Sequence, residues 1–114
     1  MVTIFGKVVK AGGELGRFVV SLPCETARLL KRLGDRFVVS IRFPGCQCWV
    51  RLYASIWISR AGCYLYLGRR LAPMLEEVWR TNGFLELELP ISRDELVRAV
   101  CREKGCREPR HIIV

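Results

Sequence analysis

Residues 48–60 constrain the fold more than any other part of the chain, because aliphatic side chains alternate there with aromatic and polar ones. In a β-strand, successive side chains point to opposite faces of the sheet. As a strand, the segment has one continuous aliphatic face, made of Val50, Leu52, Ala54, Ile56 and Ile58. Its other face, here called the aromatic face, is made of Trp49, Arg51, Tyr53, Ser55, Trp57 and Ser59. We therefore expect a long strand with its aliphatic face in the core and an unusually aromatic second face.

The aromatic face has two interpretations. Aromatic rings stack nucleobases, and guanidinium groups contact both rings and phosphates, so this pattern fits a surface that binds nucleic acid. Alternatively, a helix or a second subunit covers the face, and its rings belong to a buried core. The charge of the chain favours the first interpretation.

The chain has a formal net charge of +8, with 19 basic and 11 acidic residues and a pI near 9.6. A domain this basic favours polyanionic partners. Arginine supplies most of the positive charge, and its planar fork binds phosphates bidentately and stacks on rings. A GC-rich genome would enrich arginine codons regardless of function, and this alternative stays open.

Length and composition predict a single folded domain, residues 1–114, with a short C-terminal tail at 106–114. No apolar run approaches the roughly 20 residues that span a bilayer, and the N-terminus reads as a strand rather than a signal peptide. We therefore expect a cytoplasmic protein without a membrane partner. Asn82 and Gln47 are the only side-chain amides, which indicates a hyperthermophilic, archaeal source.

The periodicity predicts an α+β fold, with a mostly antiparallel sheet of five to six strands and two to three helices. The predicted strands cover residues 2–9, 18–22, 36–43, 48–60, 63–67 and 84–89. The predicted helices cover residues 24–33, 71–80 and 93–104. Ser92 and Glu95 form a capping box at the start of the third helix.

A strand–helix–strand pattern occurs twice, once within residues 18–39 and again within residues 63–87. The pattern resembles the repeating unit of swapped-hairpin barrels, such as the AbrB-like DNA-binding proteins. This resemblance implies a swapped-hairpin β-barrel as the alternative fold. It also implies an alternative function, a regulator that reads the major groove of double-stranded DNA.

The turn after the long strand decides where two tyrosines point. An even loop makes Ser59 oppose Tyr64 and Trp57 oppose Tyr66, which adds both tyrosines to the aromatic face. A three-residue loop with a glycine bulge moves them to the other side. The hydrophobic pattern favours the even loop, because Leu65 then joins the aliphatic face.

Signals for catalysis, cofactors or metals are poor, and we expect a protein that is not an enzyme. His111 is the only histidine, and no nucleophile motif, P-loop or dinucleotide fingerprint is present. Glu86 and Glu88 share a strand face that we interpret as solvated. The close cysteine spacings, Cys46–Cys48 and Cys101–Cys106, leave three alternatives: zinc, a disulfide involving at least one pair, or free buried thiols.

A small, arginine-rich α+β domain with an aromatic sheet face and no OB-fold pattern resembles the ThermoDBP-related single-stranded DNA-binding proteins. The resemblance implies an oligomer that holds single strands in hydrophobic and aromatic crevices. The founding ThermoDBP carries a C-terminal leucine zipper, for which this chain has no room after Gly105. A shorter relative would have to assemble differently.

Together these patterns predict largely sequence-independent binding of single-stranded DNA, with RNA left open. The residues expected to stack bases are Trp49, Tyr53, Trp57, Tyr64 and Tyr66. The residues expected to hold phosphates are Arg51, Arg60, Arg69 and Arg70. The alternatives are the duplex-binding regulator and a protein-interaction module whose aromatic face is a subunit contact.

The C-terminus, Ile112–Ile113–Val114, is apolar and β-branched, and such residues at a sheet edge invite pairing with another chain. We therefore expect a homo-oligomer, a dimer or a symmetric dimer of dimers. In the alternative, the tail packs back onto its own sheet.

Overall fold

Six strands and three helices make up the described part of the computed structural model, residues 1–12 and 17–105. The strands are β1 (Val2–Ala11), β2 (Arg17–Leu22), β3 (Phe37–Arg42), β4 (Val50–Ile58), β5 (Cys63–Tyr66) and β6 (Phe84–Leu89). The helices are α1 (Cys24–Lys31), α2 (Ala72–Arg80) and α3 (Arg93–Lys104). The α+β prediction is confirmed, with the larger numbers of strands and helices that it allowed. The predicted tail at 106–114 lies outside the described residues.

The strands close into an antiparallel barrel in the order β1-β2-β5-β4-β3-β6, with β6 pairing back to β1. The barrel matches the alternative fold class rather than an open sheet. Period-two alternation places one side of each strand inside, where the core forms. The fully buried core side chains from the strands include Val8, Val20, Val39, Ile41, Leu65, Leu85, Leu87 and Leu89.

The helices bury their apolar sides against different parts of this barrel. Ala27 and Leu30 of α1 are buried, and α1 packs on β4, β5 and α3. Leu75 and Val78 of α2 are buried, and α2 packs on β1, β2 and β6. The predicted capping box opens α3: Glu95 N–H donates to Ser92 Oγ, and Ser92 N–H donates to Glu95 Oε1, both at 3.1 Å.

The two halves of the chain have the same element order. The first half is β1-β2-α1-β3 and the second is β4-β5-α2-β6. Exchanging the halves maps the cyclic strand order onto itself, so the barrel has a pseudo-twofold arrangement. The strand–helix–strand repeat predicted from the sequence is therefore present. The connections differ, because Pro23 alone joins β2 to α1, whereas residues 67–71 join β5 to α2.

A disulfide joins Cys24, the first residue of α1, to Cys63, the first residue of β5. The sequence alternatives concerned other cysteines, so the bridge between these two was missed. β2 pairs with β5 so that Leu22 opposes Cys63, which brings Cys24 within reach. Cys46 and Cys48 are exposed thiols on the β3–β4 connection and not in a disulfide.

The aliphatic face of β4 is shorter than the sequence indicated. Ala54 is buried and Leu52 and Ile56 are half-buried, but Val50 and Ile58 at the two ends are exposed. The prediction of an unbroken core face is wrong at these ends. The reason at the first end is that β5 pairs only with residues 55–58 of β4, leaving residues 50–54 without a second neighbour among the described strands.

Candidate nucleic-acid interface

The aromatic face points out of the barrel and is open to solvent. Trp49 is 40 % exposed, Tyr53 60 % and Trp57 37 %. At these exposures the three rings are not buried beneath α1, α2 or α3, so the alternative in which one of these helices buries them is wrong. The alternative in which a second subunit covers them stays a hypothesis.

Two arginines, Arg36 directly before β3 and Arg42 at its end, each place a guanidinium group over a ring of this face. The Arg36 guanidinium lies 4.8 Å from the Tyr53 ring centroid, and the Arg42 guanidinium lies 4.9 Å from that of Trp49. The register explains the first contact, because Val38 opposes Tyr53 and Arg36 is its next outward neighbour. Cation–π contacts of this kind orient a ring without covering both of its faces.

Sequence reasoning missed Arg36 and Arg42 as site residues. The signal was present, since both alternate with the buried residues of the third predicted strand and so point outward. Residues 43–49 join β3 to β4, and antiparallel pairing across this connection puts these arginines beside the aromatic face.

The β4–β5 hairpin adds both predicted tyrosines to the face. Ser59 and Gly62 bond to each other through their backbones, leaving Arg60 and Ala61 as a two-residue loop. The even loop is therefore confirmed, but the predicted pairing is wrong by two residues: Trp57 opposes Tyr64, not Tyr66. The reason is that the turn is tighter than a four-residue loop.

Tyr66 lies diagonally from Trp57, and their rings stack. The ring centroids are 4.4 Å apart and the planes differ by 18°. The stack leaves Tyr66 half-buried beneath an exposed Trp57. Tyr64 is also half-buried, so Trp57 is the ring of this hairpin that is best placed to meet a base.

The four arginines predicted to hold phosphates are all exposed. Arg51 lies on the aromatic face itself, and Arg60 lies in the hairpin turn. Arg69 and Arg70 line a cleft with Tyr53 and Arg36. Within residues 1–12 and 17–105, none of these arginines has a carboxylate at ion-pair distance. Among the described residues, no ion pair therefore compensates their charge.

Two acidic side chains of β6, Glu86 and Glu88, border the aromatic face beyond β3. Arg42 Nε donates to Glu86 Oε1 at 2.8 Å, so the charge of Arg42 is largely compensated. Glu88 opposes Ser40, which in turn opposes Arg51. A polyanion would avoid these carboxylates, and the favourable path runs along β4 rather than across the barrel.

The described part of the chain gives little support for a metal site, a membrane-spanning helix or a pair of solvated glutamates. No three His, Cys, Asp or Glu side chains are grouped there as a metal ion would require. Among residues 1–12 and 17–105, no helix has the length and apolarity needed to cross a bilayer. Glu86 and Glu88 on β6 are half-buried, whereas the sequence pattern indicated a solvated face.

No protein-family model, curated protein or solved structure matches this chain. The resemblance to the ThermoDBP-related proteins stays a prediction.

Proposed function

We propose that this protein binds single-stranded nucleic acid on its aromatic face, without catalysis and largely without sequence preference. The observation that carries the proposal is the exposed line of Trp49, Tyr53 and Trp57, held and flanked by arginines. Five of those arginines, Arg36, Arg51, Arg60, Arg69 and Arg70, have no carboxylate partner in the described residues. Proteins usually bind single-stranded nucleic acid by combining base stacking with phosphate contacts.

The spacing of the rings supports a strand that follows β4. Trp49, Tyr53 and Trp57 are four residues apart, which corresponds to about 13 Å between neighbours at roughly 3.3 Å per residue. Arg51 lies between the first two rings, where it can meet the backbone of the intervening nucleotides. Single-stranded DNA is the expected ligand. RNA, which has uracil for thymine and adds a 2′-hydroxyl, presents equivalent base faces and phosphates, so it is the second ligand to test.

Open ring faces favour single strands over duplex. A base in a duplex is already stacked on its neighbours, so it cannot also stack on Trp57 without being extruded. A duplex would meet only the arginines. The duplex-binding regulator thus becomes the alternative outcome of a competition experiment.

Fluorescence anisotropy with labelled oligo-dT tests the proposal. Trp57→Ala should weaken binding by about tenfold or more, since stacking contributes roughly 1–3 kcal/mol per base. Trp79→Ala is the matched control, because Trp79 is 38 % exposed but lies on α2 against Phe18. Circular dichroism of both variants checks that the barrel is intact.

Two results would contradict the proposal. One is the absence of oligo-dT binding at low salt, where phosphate contacts are strongest. The other is an equal loss of affinity in Trp57→Ala and Trp79→Ala. Duplex DNA that competes as well as unlabelled oligo-dT would favour the regulator instead.

Assembly and location stay predictions. The expected homo-oligomer rests on the tail at 106–114, which lies outside the described residues. Light scattering on the full chain and on a chain truncated after Gly105 measures whether the tail holds copies together. We propose cytoplasmic location as the compartment in which such a protein would meet nucleic acid.

A further inference from the structure

The two halves of the barrel stop resembling each other beside the aromatic face. One residue joins β2 to α1, but five residues, 67–71, join β5 to α2. The longer connection contains Arg69 and Arg70. Two of the predicted phosphate-binding arginines therefore lie where the second half departs from the first.

This longer connection borders an open cleft of about 700 Å³. β5 ends at Tyr66, opposite Ser55, so residues 50–54 of β4 have β3 on one side and no described strand on the other. The aliphatic lining of the cleft is Val50, Leu52, Leu67 and Leu71. The aromatic and charged lining is Tyr53, Arg36, Arg69 and Arg70. The volume lies in the range of small-molecule sites, roughly 300–1,000 Å³.

The lining selects a particular kind of ligand. Three arginines without carboxylate partners in the described residues favour an anion, and the guanidinium fork matches phosphate oxygens. The aliphatic wall and the Tyr53 ring favour a flat, weakly polar group. A nucleotide joins these two chemistries in one molecule.

We propose that this cleft encloses one nucleotide unit of the bound strand, with its phosphate on Arg69 and Arg70. Its base lies against the aliphatic wall and Tyr53. The inference rests on the proposed function, which it sharpens: bases stack openly on Trp49 and Trp57, but here one is held within a pocket. Arg36, directly before β3, packs on the Tyr53 ring and adds to the positive charge.

Nuclear magnetic resonance titrations of the full chain test this inference with three small probes: dTMP, thymidine and inorganic phosphate. We expect dTMP to shift the amide signals of residues 50–54 and 67–71. Thymidine should bind more weakly, and phosphate should shift the signals of Arg69 and Arg70 alone.

A pair of arginine variants separates a specific contact from general charge. Arg70→Ala should weaken dTMP binding at least about threefold, because a charge-assisted contact is lost. Arg98→Ala removes the same charge from an exposed position on α3 and should leave dTMP binding unchanged. An equal loss of dTMP affinity in both variants would overturn the inference. So would cleft signals that shift with protein concentration and not with dTMP.

Oligo-dT in a parallel titration distinguishes the two failures. If oligo-dT binds along β4 but neither dTMP nor oligo-dT shifts the cleft signals, the inference about the cleft is overturned and the proposed function stands. Failure of oligo-dT to bind overturns both.

Discussion

The disulfide between Cys24 and Cys63 should supply a large part of the stability of this barrel. The two cysteines are 39 residues apart, and the bridge ties the start of α1 to the start of β5. Closing a loop of that length in the unfolded chain lowers its entropy, which stabilises the fold by about 4 kcal/mol in the chain-entropy model. Domains of this size have total stabilities of roughly 5–15 kcal/mol.

The double variant Cys24→Ala/Cys63→Ala removes the bridge. Its free energy of unfolding, measured by guanidinium denaturation without reductant, should be lower than that of the natural chain by about 4 kcal/mol. With an unfolding entropy of about 2.1 cal/mol/K per residue, the melting temperature should fall by about 17 °C. A small packing loss adds to this, because the Cys63 side chain is buried.

The same pair of proteins under reducing conditions supplies the control. Reductant opens the bridge in the natural chain, so the two proteins should then differ only by the packing loss. Subtracting that difference isolates the crosslink and cancels any effect of reductant on the other cysteines. If natural chain and variant differ equally with and without reductant, the bridge contributes no stability and the reasoning fails.

Three further predictions concern single side chains. Thr26 is fully buried in α1, and its hydroxyl has no hydrogen-bond partner in the described residues, so Thr26→Val should raise the free energy of unfolding by about 1 kcal/mol in chemical denaturation. The Ser92 backbone N–H, then the Ser92 side chain, and Arg98 hold the pKa of Glu95 below its ordinary value of 4.5, so the charged form stabilises α3 above that value. That stability is lost as pH falls through the lowered pKa of Glu95. Melting curves between about pH 6 and about pH 3 should therefore show a fall in melting temperature for the natural chain. The Glu95→Gln variant, which keeps the cap, should lack this part of the fall. Glu88→Gln should tighten oligo-dT binding about twofold at low salt, because it removes a negative charge about 10 Å from Arg51, and an unchanged affinity would mean that the strand does not pass there.

The features that depend on local periodicity were predictable from the sequence. The alternation along residues 48–60 gave the two faces of β4, and the preference of Leu65 for the aliphatic face gave the even hairpin loop. The repeated strand–helix–strand pattern anticipated the two similar halves. Each of these inferences uses neighbours that lie a few residues apart.

The features that sequence reasoning missed depend on pairing between distant segments. Cys24 and Cys63 become neighbours only because β2 lies beside β5, which no local pattern indicates. The two-residue slip at Trp57 arose because loop parity does not determine loop length. Arg36 joins the face through the β3–β4 register, and the cleft exists because β5 is shorter than β4.

The three tryptophans allow one measurement to test the central claim directly. Trp49 and Trp57 lie on the aromatic face, whereas Trp79 lies on α2, so their indole N–H signals report on different surfaces of one molecule. In a titration of the full chain with unlabelled oligo-dT at low salt, we predict that the signals of Trp49 and Trp57 shift together with the same apparent affinity. The Trp79 signal should stay in place. A titration in which Trp79 alone shifts, or in which none of the three responds, would contradict the account.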